Sequence, residues 1–118
     1  MKIGTDIIQI DRVSKAIDKF GDKFLVKFLN QSEIQIVNSI ENIAGFWAAK
    51  EAISKALGCG IGKDLSFHDI TISKTPKGAP YFQINKQTNF NIISSSLSIS
   101  HDGGFAIAVV AISIKDSQ

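Results

Sequence analysis

The run from Ile43 to Leu57 is the clearest helix in the sequence. Alanine, which has the highest helix propensity, recurs through it, and Gly58 directly after it is typical of a helix end. On a helical wheel the polar residues of this run fall on one side and the apolar residues on the other. The apolar side predicts packing against a core, so the polar side must face water or line a cleft. That polar side consists of Lys50, Glu51, Ser54 and Lys55.

Spacing alone assigns no function to this polar side. Glu51 and Lys55 are four residues apart in the favourable order, and such pairs stabilise ordinary helices by about 0.2–0.5 kcal/mol. A functional interpretation therefore depends on what accompanies this helix elsewhere in the chain.

The segments around this helix predict one small α+β domain. Lys2–Ile10 is rich in isoleucine and is expected to form a strand buried on both faces. Asp11 and Asp22 are expected to cap two short helices, the first of them Arg12–Phe20, and a third short helix is expected at Ser32. The predicted later strands are Phe67–Ser73, Tyr81–Ile84, Leu97–Ser100 and Phe105–Ile114, whereas Asn85–Ser96 has no clear pattern. No repeat or linker divides residues 1–118, so we expect a single domain with a mainly antiparallel sheet packed against the long central helix.

Composition excludes several classes of protein. Hydrophobic residues make up 44% and charged residues 20% of the 118-residue chain, as in ordinary globular proteins. The net charge of +2 gives no argument for nucleic-acid binding. Cys59 is the single cysteine and cannot form an internal disulfide, no zinc-ligand spacing occurs, and Phe105–Ile114 is too short to span a membrane as a helix. Without a signal-peptide pattern, the expected location is the reducing cytoplasm.

Four short motifs follow one another in the order found in one family. Gly4–Arg12 resembles a G-x-D-[IV] strand that runs into an Arg-led helix, and Trp47–Gly58 resembles the pattern W/F-A-x-K-E-A-x-x-K-A. Gly78–Pro80 and Ser98–His101 resemble a later G-[KR]-P turn and an S-I-S-H strand end. In these motifs the chain is similar to the holo-acyl-carrier-protein synthases, the small trimeric type of 4'-phosphopantetheinyl transferase. The resemblance covers nearly the whole chain and implies the fold of that superfamily.

The resemblance implies an enzyme that transfers phosphopantetheine from coenzyme A to a serine of apo-acyl carrier protein, in support of fatty acid biosynthesis. Phosphoryl transfer of this kind depends on positioning and charge neutralisation. Asp6 and Glu51 match the family's Mg²⁺ positions, and carboxylates are ligands that Mg²⁺ prefers. Lys55, one turn after Glu51, is expected to stabilise charge on the phosphate. Whether a carboxylate or a metal-bound water accepts the serine proton is left open.

The resemblance also implies which residues contact coenzyme A. These are Lys50, Ser54, Lys55, Gly58, Gly60, Pro80, Ser100 and His101. The glycines have an alternative interpretation as a helix cap and turn, and His101 has one as an ordinary turn residue. Two positions depart from the family pattern, because Phe46 stands where an arginine is frequent and Ala79 where the turn has Lys or Arg. How coenzyme A is held without these two basic side chains is left open.

A basic stripe on the first predicted helix is the expected docking surface for the acidic carrier protein. Arg12, Lys15 and Lys19 share one face at helical spacing. Such a stripe is usually only a solvated face, and in the family this helix docks the carrier. The resemblance further implies a homotrimer with active sites between subunits, and the apolar first and last strands are consistent with such an interface.

Two alternatives are weaker. A small nucleic-acid-binding module would need aromatic residues among the lysines on an exposed sheet, but the nearby phenylalanines fall at core-facing helical positions. Half of a larger-type transferase that serves another carrier is the second alternative, and the single-domain length favours the carrier-synthase type.

Overall fold

The computed structural model describes residues 1–85 and 90–115. In chain order its elements are β1 (Lys2–Gln9), α1 (Ile10–Phe20), α2 (Asp22–Phe28), α3 (Gln31–Ile34), α4 (Ile40–Ala56), a 3₁₀ turn (Phe67–Asp69), β2 (Ile70–Lys74), β3 (Pro80–Ile84), β4 (Ile92–Asp102) and β5 (Phe105–Ile114). Antiparallel sheets packed with one long helix confirm the predicted α+β fold class. No helix of the described residues has the length and apolar character needed to cross a lipid bilayer.

The strands form two antiparallel sheets. β1, β5 and β4 make a three-stranded sheet in that order, and β2 pairs with β3 separately. Asp6 of β1 and Ile99 of β4 both lie opposite Ala108 of the central strand. Residues directly opposite each other share a face of a sheet, so all three project from the face that carries the fully buried Ala108.

A glycine in β1 allows helix α4 to lie directly against this face. A Cβ at Gly4 would lie 1.9 Å from the carbonyl oxygen of Ala52 and 2.8 Å from the nitrogen of Ala56, closer than any side chain can approach. Only glycine therefore permits β1 to contact the C-terminal half of α4 at this point. Asp6, two residues further on the same face, is thereby placed next to that half of the helix.

The first two helices are present but are not capped by the predicted aspartates. Gln9 is the N-cap of α1, so Asp11 lies inside the first turn instead of capping it. Gly21, at a positive φ of 60°, joins α1 to α2 and precedes Asp22, which is already helical. An acidic residue in a first turn still favours the helix by its charge.

The next two helices also begin at other residues than predicted. α3 is capped at Asn30, two residues before the predicted Ser32. α4 begins at Ile40, three residues before Ile43, because the Ser39 side chain accepts a hydrogen bond from a main-chain N–H of the first turn at 3.1 Å.

The predicted strands require corrections at their ends. The 3₁₀ turn Phe67–Asp69 occupies what was expected to be the start of β2. β4 begins at Ile92, inside the stretch without a clear pattern, of which residues 86–89 lie outside the described part of the chain. His101 and Asp102 still belong to β4, and the turn to β5 is the pair Gly103–Gly104, whose positive φ values suit a two-residue hairpin.

β1 is buried on one face only, which contradicts the prediction of burial on both. Gly4 and Asp6 face α4, whereas Ile3 and Ile7 on the other face are 69% and 59% exposed. The neighbouring strand β5 adds Ile107 and Val109 to the same outer face. The residues that the structure describes thus leave an apolar sheet face uncovered.

Candidate active site

Asp6, Glu51 and Lys55 lie where β1 meets the C-terminal half of α4. The Nζ atom of Lys55 is 2.9 Å from Oδ1 of Asp6 and donates a second hydrogen bond, of 3.2 Å, to the main-chain oxygen of Thr5. The Lys55 side chain is 53% exposed and that of Asp6 15% exposed, so the ion pair is accessible to solvent, and we call this position the opening. The structure therefore brings together the three residues that the sequence proposed as catalytic.

The carboxyl group of Glu51 is held in an unfavourable environment for its charge. Burial raises the pKa of Glu51 above its ordinary value of 4.5, the negative charge of Asp6 raises it further, and Lys55 partly opposes both. Because two carboxylates repel each other here, a divalent cation between them would stabilise both charges.

The donor set at this position fits Mg²⁺. Mg²⁺ prefers oxygen ligands and is usually bound by one or two carboxylates, with water and substrate phosphates as its remaining ligands. Within residues 1–85 and 90–115, no group of three or more His, Cys, Asp or Glu side chains could hold a metal ion. Asp6 and Glu51 therefore suit an ion that shares its ligands with a bound phosphate, and not one enclosed by protein alone.

Lys50 and Ser54 do not face this opening, which contradicts for both residues the expectation that the polar side of the helix faces water or lines a cleft. Each side chain is fully buried. Lys50 Nζ donates to Oε1 of Glu33 at 2.7 Å and to two main-chain oxygens, and Ser54 Oγ donates to the main-chain oxygen of Glu51 at 2.7 Å. Burial lowers the pKa of Lys50, and the hydrogen bond and charge of Glu33 oppose that shift. Neither side chain has a polar hydrogen left for coenzyme A.

Glu33 is a buried residue that the sequence analysis missed. It forms a capping box with Asn30, in which each residue's side chain accepts from the other's main-chain N–H. The spacing N-x-x-E before an apolar run is a recognisable pattern for such a box. Its partner Lys50, 17 residues further along, could not be found from local spacing.

The glycines after α4 serve as a helix cap. The N–H of Gly58 donates to the Lys55 oxygen at 3.0 Å, and the N–H of Gly60 donates to the Ser54 oxygen at 3.2 Å. Both glycines have positive φ, of 81° and 66°. Their N–H groups are engaged inside the loop, as the alternative interpretation as a helix cap and turn expects, and contact of these glycines with coenzyme A stays a prediction.

A separate cavity of about 200 Å³ lies at the N-terminal half of α4. Its lining consists of Glu41, Asn42, Phe46, Lys74, Gly78, Pro80, Ile99 and His101. The predicted coenzyme A residues Pro80 and His101 both contribute to it. Ser100 does not, because it alternates with its neighbours on β4 and is exposed on the opposite face.

This cavity contains a lysine that the sequence analysis did not single out. The Nζ atom of Lys74 lies 5.9 Å from the centre of the Phe46 ring. A positive charge is thus present next to the position where the family's arginine is replaced by Phe46. Along α4, the cavity residue Asn42 and the acidic Glu51 are nine residues apart, or about 14 Å of helix.

The residues proposed for carrier docking form an exposed basic surface with an apolar centre. Arg12, Lys15 and Lys19 are all exposed on α1, and Lys15 pairs with Asp11 at 2.9 Å, both side chains being more than 70% exposed. Beside them is a groove of about 340 Å³ lined by Ala16, Phe20, Lys23, Phe24 and Lys27. We call Arg12, Lys15, Lys19 and this groove the α1–α2 surface.

Comparison with known proteins points to one family. A family model described as the 4'-phosphopantetheinyl transferase superfamily matches residues 2–110. The chain is 56% identical over 117 residues to a holo-[acyl-carrier-protein] synthase of Sulfurovum sp., which covers 98% of each protein. A crystal structure of the Helicobacter pylori holo-[acyl-carrier-protein] synthase in complex with coenzyme A superimposes with a TM-score of 0.90 at 54% identity, covering 94% of this chain and 99% of that one. The crystal structure of the Neisseria meningitidis holo-[acyl-carrier-protein] synthase superimposes with a TM-score of 0.85 at 31% identity, covering 95% of this chain and 97% of that one.

The extent of these matches and the family order of the four motifs lead to the same assignment. The chain belongs to the 4'-phosphopantetheinyl transferase superfamily and, within it, to the holo-[acyl-carrier-protein] synthases.

Proposed function

We propose that this chain transfers 4'-phosphopantetheine from coenzyme A to a serine of apo-acyl carrier protein, in a Mg²⁺-dependent reaction that supports fatty acid biosynthesis. The observation that carries the proposal is the meeting of Asp6, Glu51 and Lys55 at one opening. In the reaction the serine oxygen bonds to the β-phosphorus of coenzyme A, and the bond from that phosphorus to the bridging oxygen breaks. Adenosine 3',5'-bisphosphate leaves, and the serine loses its proton.

Asp6 and Glu51 would hold Mg²⁺, which when bound supplies positive charge to the oxygens of the reacting phosphate. Lys55 is anchored by Asp6 and by the Thr5 carbonyl, which keeps its ammonium at the opening. An ammonium fixed in this way stabilises the developing phosphate charge with little reorganisation.

The nucleotide end of coenzyme A is proposed to occupy the cavity at the N-terminal half of α4. Pro80 and His101 line it, and Lys74 provides a positive charge there. This assignment is supported by a relative of 54% identity whose structure contains coenzyme A.

A homotrimer would bring the cavity of one subunit to the acidic pair of the next. Within one chain the cavity residues Asn42 and Phe46 lie about 14 Å and about 8 Å from Glu51 along α4. The exposed apolar residues on the outer face of β1 and β5 support an assembly of this kind, since a monomer rarely leaves such a face uncovered.

The α1–α2 surface is proposed to receive the carrier protein. Its lysines and Arg12 would attract an acidic partner, and the exposed Phe20 offers apolar contact at its centre. We also propose a cytoplasmic location, which is supported by a single cysteine that cannot form an internal disulfide.

Intact-mass spectrometry of the carrier tests the proposed function. With coenzyme A and Mg²⁺, the chain is expected to add about 340 Da, the mass of phosphopantetheine, to an apo-acyl carrier protein. A carrier whose acceptor serine is replaced by alanine is the control and should gain nothing. Absence of any mass gain with Mg²⁺ or another divalent metal would overturn the proposal.

A further inference from the structure

The ammonium of Lys50 lies at the centre of a fully buried hydrogen-bond network. Nζ donates to Oε1 of Glu33 at 2.7 Å, to the Phe28 oxygen at 2.7 Å and to the Phe67 oxygen at 3.0 Å. An ammonium has three N–H donors, so all of its donors are used. The side chains of Lys50 and Glu33 have no exposed surface.

Glu33 extends the network to two further parts of the chain. Its Oε1 also accepts the main-chain N–H of Asn30 at 2.7 Å, and its Oε2 accepts the main-chain N–H of Ile72 at 2.7 Å. Through these bonds α4 is joined to the end of α2, to α3, to the 3₁₀ turn and to β2. None of the buried side-chain nitrogen and oxygen atoms in the described residues lacks a partner.

Among the buried residues of α4, Phe46 and Ile53 are the large apolar side chains that help to fix its rotation. The helix is buried on several sides at once, and most of its buried residues are small: Ala44, Gly45, Ala48, Ala49, Ala52 and Ala56. Small side chains permit close packing but offer few projections that distinguish one rotation from another. The Lys50 network is satisfied in a single setting, because any rotation would separate a buried ammonium from a buried carboxylate.

Lys50 is followed directly by Glu51, so the rotation that it fixes is also that of the acidic pair. Adjacent helical residues differ by about 100° around the axis, and turning α4 would move both side chains together. We propose that the buried Lys50–Glu33 pair is a positioning device that holds the rotation of α4 and thereby keeps the Glu51 carboxylate directed towards Asp6. This inference rests on the proposed function, in which Asp6 and Glu51 act together.

If the Lys50–Glu33 pair only stabilised the fold, replacing both residues would leave kcat and metal affinity unchanged. Substituting both members of a buried ion pair by neutral residues of similar size is often harmless to stability, whereas removing one partner strands a buried charge. The double variant Lys50→Met/Glu33→Gln therefore separates the two roles. It removes both charges and leaves an amide oxygen at position 33 that can still accept a main-chain N–H.

The double variant is expected to fold cooperatively but to lose function at the acidic pair. We expect kcat to fall at least about tenfold while the KM for coenzyme A stays within about twofold, because the coenzyme A cavity lies at the other half of α4. Independently of activity, Mn²⁺ binding followed by electron paramagnetic resonance with coenzyme A present should weaken at least about tenfold. Ile53→Val, which removes one methyl group from the core side of α4, is the matched control and should lower the melting temperature without changing Mn²⁺ affinity.

Wild-type kcat and wild-type Mn²⁺ affinity in the folded double variant would overturn the inference. Should that variant fail to fold, Glu33→Asp retains the charge and shortens the side chain by one methylene. It should weaken Mn²⁺ binding several-fold, and unchanged binding would again overturn the positioning role. Failure of the proposed function itself would appear separately, as a wild-type chain that transfers nothing to the carrier.

Discussion

Among the individual residues, Glu51 is the one whose chemistry depends most on its surroundings. Burial and the nearby Asp6 both disfavour its ionised form, so its pKa lies above 4.5 in the folded chain. A raised folded-state pKa means that the folded protein binds this proton more tightly than the unfolded protein does. The contribution of Glu51 to the free energy of unfolding is therefore lost as the pH rises from its pKa in the unfolded chain to its higher pKa in the folded chain.

Glu51→Gln removes this titrating group and should stabilise the metal-free chain at neutral pH. In EDTA at pH 7.5 we expect its melting temperature to exceed that of the wild type by a few degrees, and the difference should vanish below about pH 4, where Glu51 is protonated in both states. Mg²⁺ with coenzyme A should raise the melting temperature of the wild type more than that of the variant. Scanning calorimetry measures the melting temperatures in all three conditions. A lower melting temperature for the variant in EDTA at pH 7.5 would contradict a raised pKa of Glu51.

Gly4 contributes to the site by having no side chain. In Gly4→Ala the new Cβ would meet main-chain atoms of Ala52 and Ala56, which cannot move out of the way as a flexible side chain could. We expect urea denaturation to show a loss of about 3 kcal/mol or more in the free energy of unfolding. Gly62→Ala is the control, since nothing lies within 4 Å of its Cβ, and it should change stability by less than about 1 kcal/mol. Equal effects of the two substitutions would contradict the close packing of β1 on α4.

The structure brings some of the predicted site residues together and buries others, for a physical reason. Asp6, Glu51 and Lys55 could be proposed because each lies in a family motif, and the structure brings them together. Lys50 and Ser54 share the polar side of the helical wheel with Glu51, yet both are buried. A wheel shows where polar residues point but not what lies opposite them, and no local pattern reveals a buried partner such as Glu33.

Among the single elements, α1 carries the exposed basic residues that are proposed to dock the carrier protein. Arg12→Glu should raise the KM for the carrier at least about tenfold at low salt and leave the KM for coenzyme A within about twofold. The effect should shrink at high ionic strength, because exposed charges are screened. Lys115→Glu is the charge-matched control. Lys115 follows the last residue of β5, whereas the start of α1 contacts Gly104, just before the first residue of that strand. Equal effects of the two charge reversals on the KM for the carrier would show that α1 is not part of the docking surface.

Elements with strong local patterns were predicted from the sequence, and those that depend on distant contacts were not. The alanine-rich α4 and the apolar β5 were predicted nearly at their observed bounds. The first part of β4 was not, because Ser94–Ser96 has no alternation of apolar residues and is a strand only through its pairing with β5. Phe67 was expected in a strand but lies in the 3₁₀ turn. There its main-chain oxygen accepts a hydrogen bond from Lys50 Nζ, and its ring packs against Trp47 of α4.

For the whole molecule, the uncovered apolar sheet face favours self-association, and the proposed homotrimer would share its active sites between subunits. Glu51→Gln damages the acidic pair and His101→Ala damages the cavity, so each variant alone should be nearly inactive. When the two are refolded together, a site between subunits can combine an intact acidic pair from one with an intact cavity from the other. Random mixing in equal amounts should restore about one quarter of the wild-type activity.

Light scattering of the wild type should accompany this experiment. The expected mass is three times the 12.8 kDa of one chain. A mixture as inactive as its components, or a fully active monomer, would contradict sites shared between subunits.

Asp6 and Glu51 together are proposed to form the Mg²⁺-dependent centre of phosphopantetheine transfer. This role is tested by the rate of carrier modification as a function of Mg²⁺ concentration for the wild type, Asp6→Asn and Glu51→Gln, with Asp22→Asn as an acidic control away from the opening. We predict that each of the first two variants loses at least about 100-fold in kcat/KM while remaining folded, and that the control keeps the wild-type Mg²⁺ dependence. Wild-type rates and Mg²⁺ dependence in either Asp6→Asn or Glu51→Gln would contradict this role.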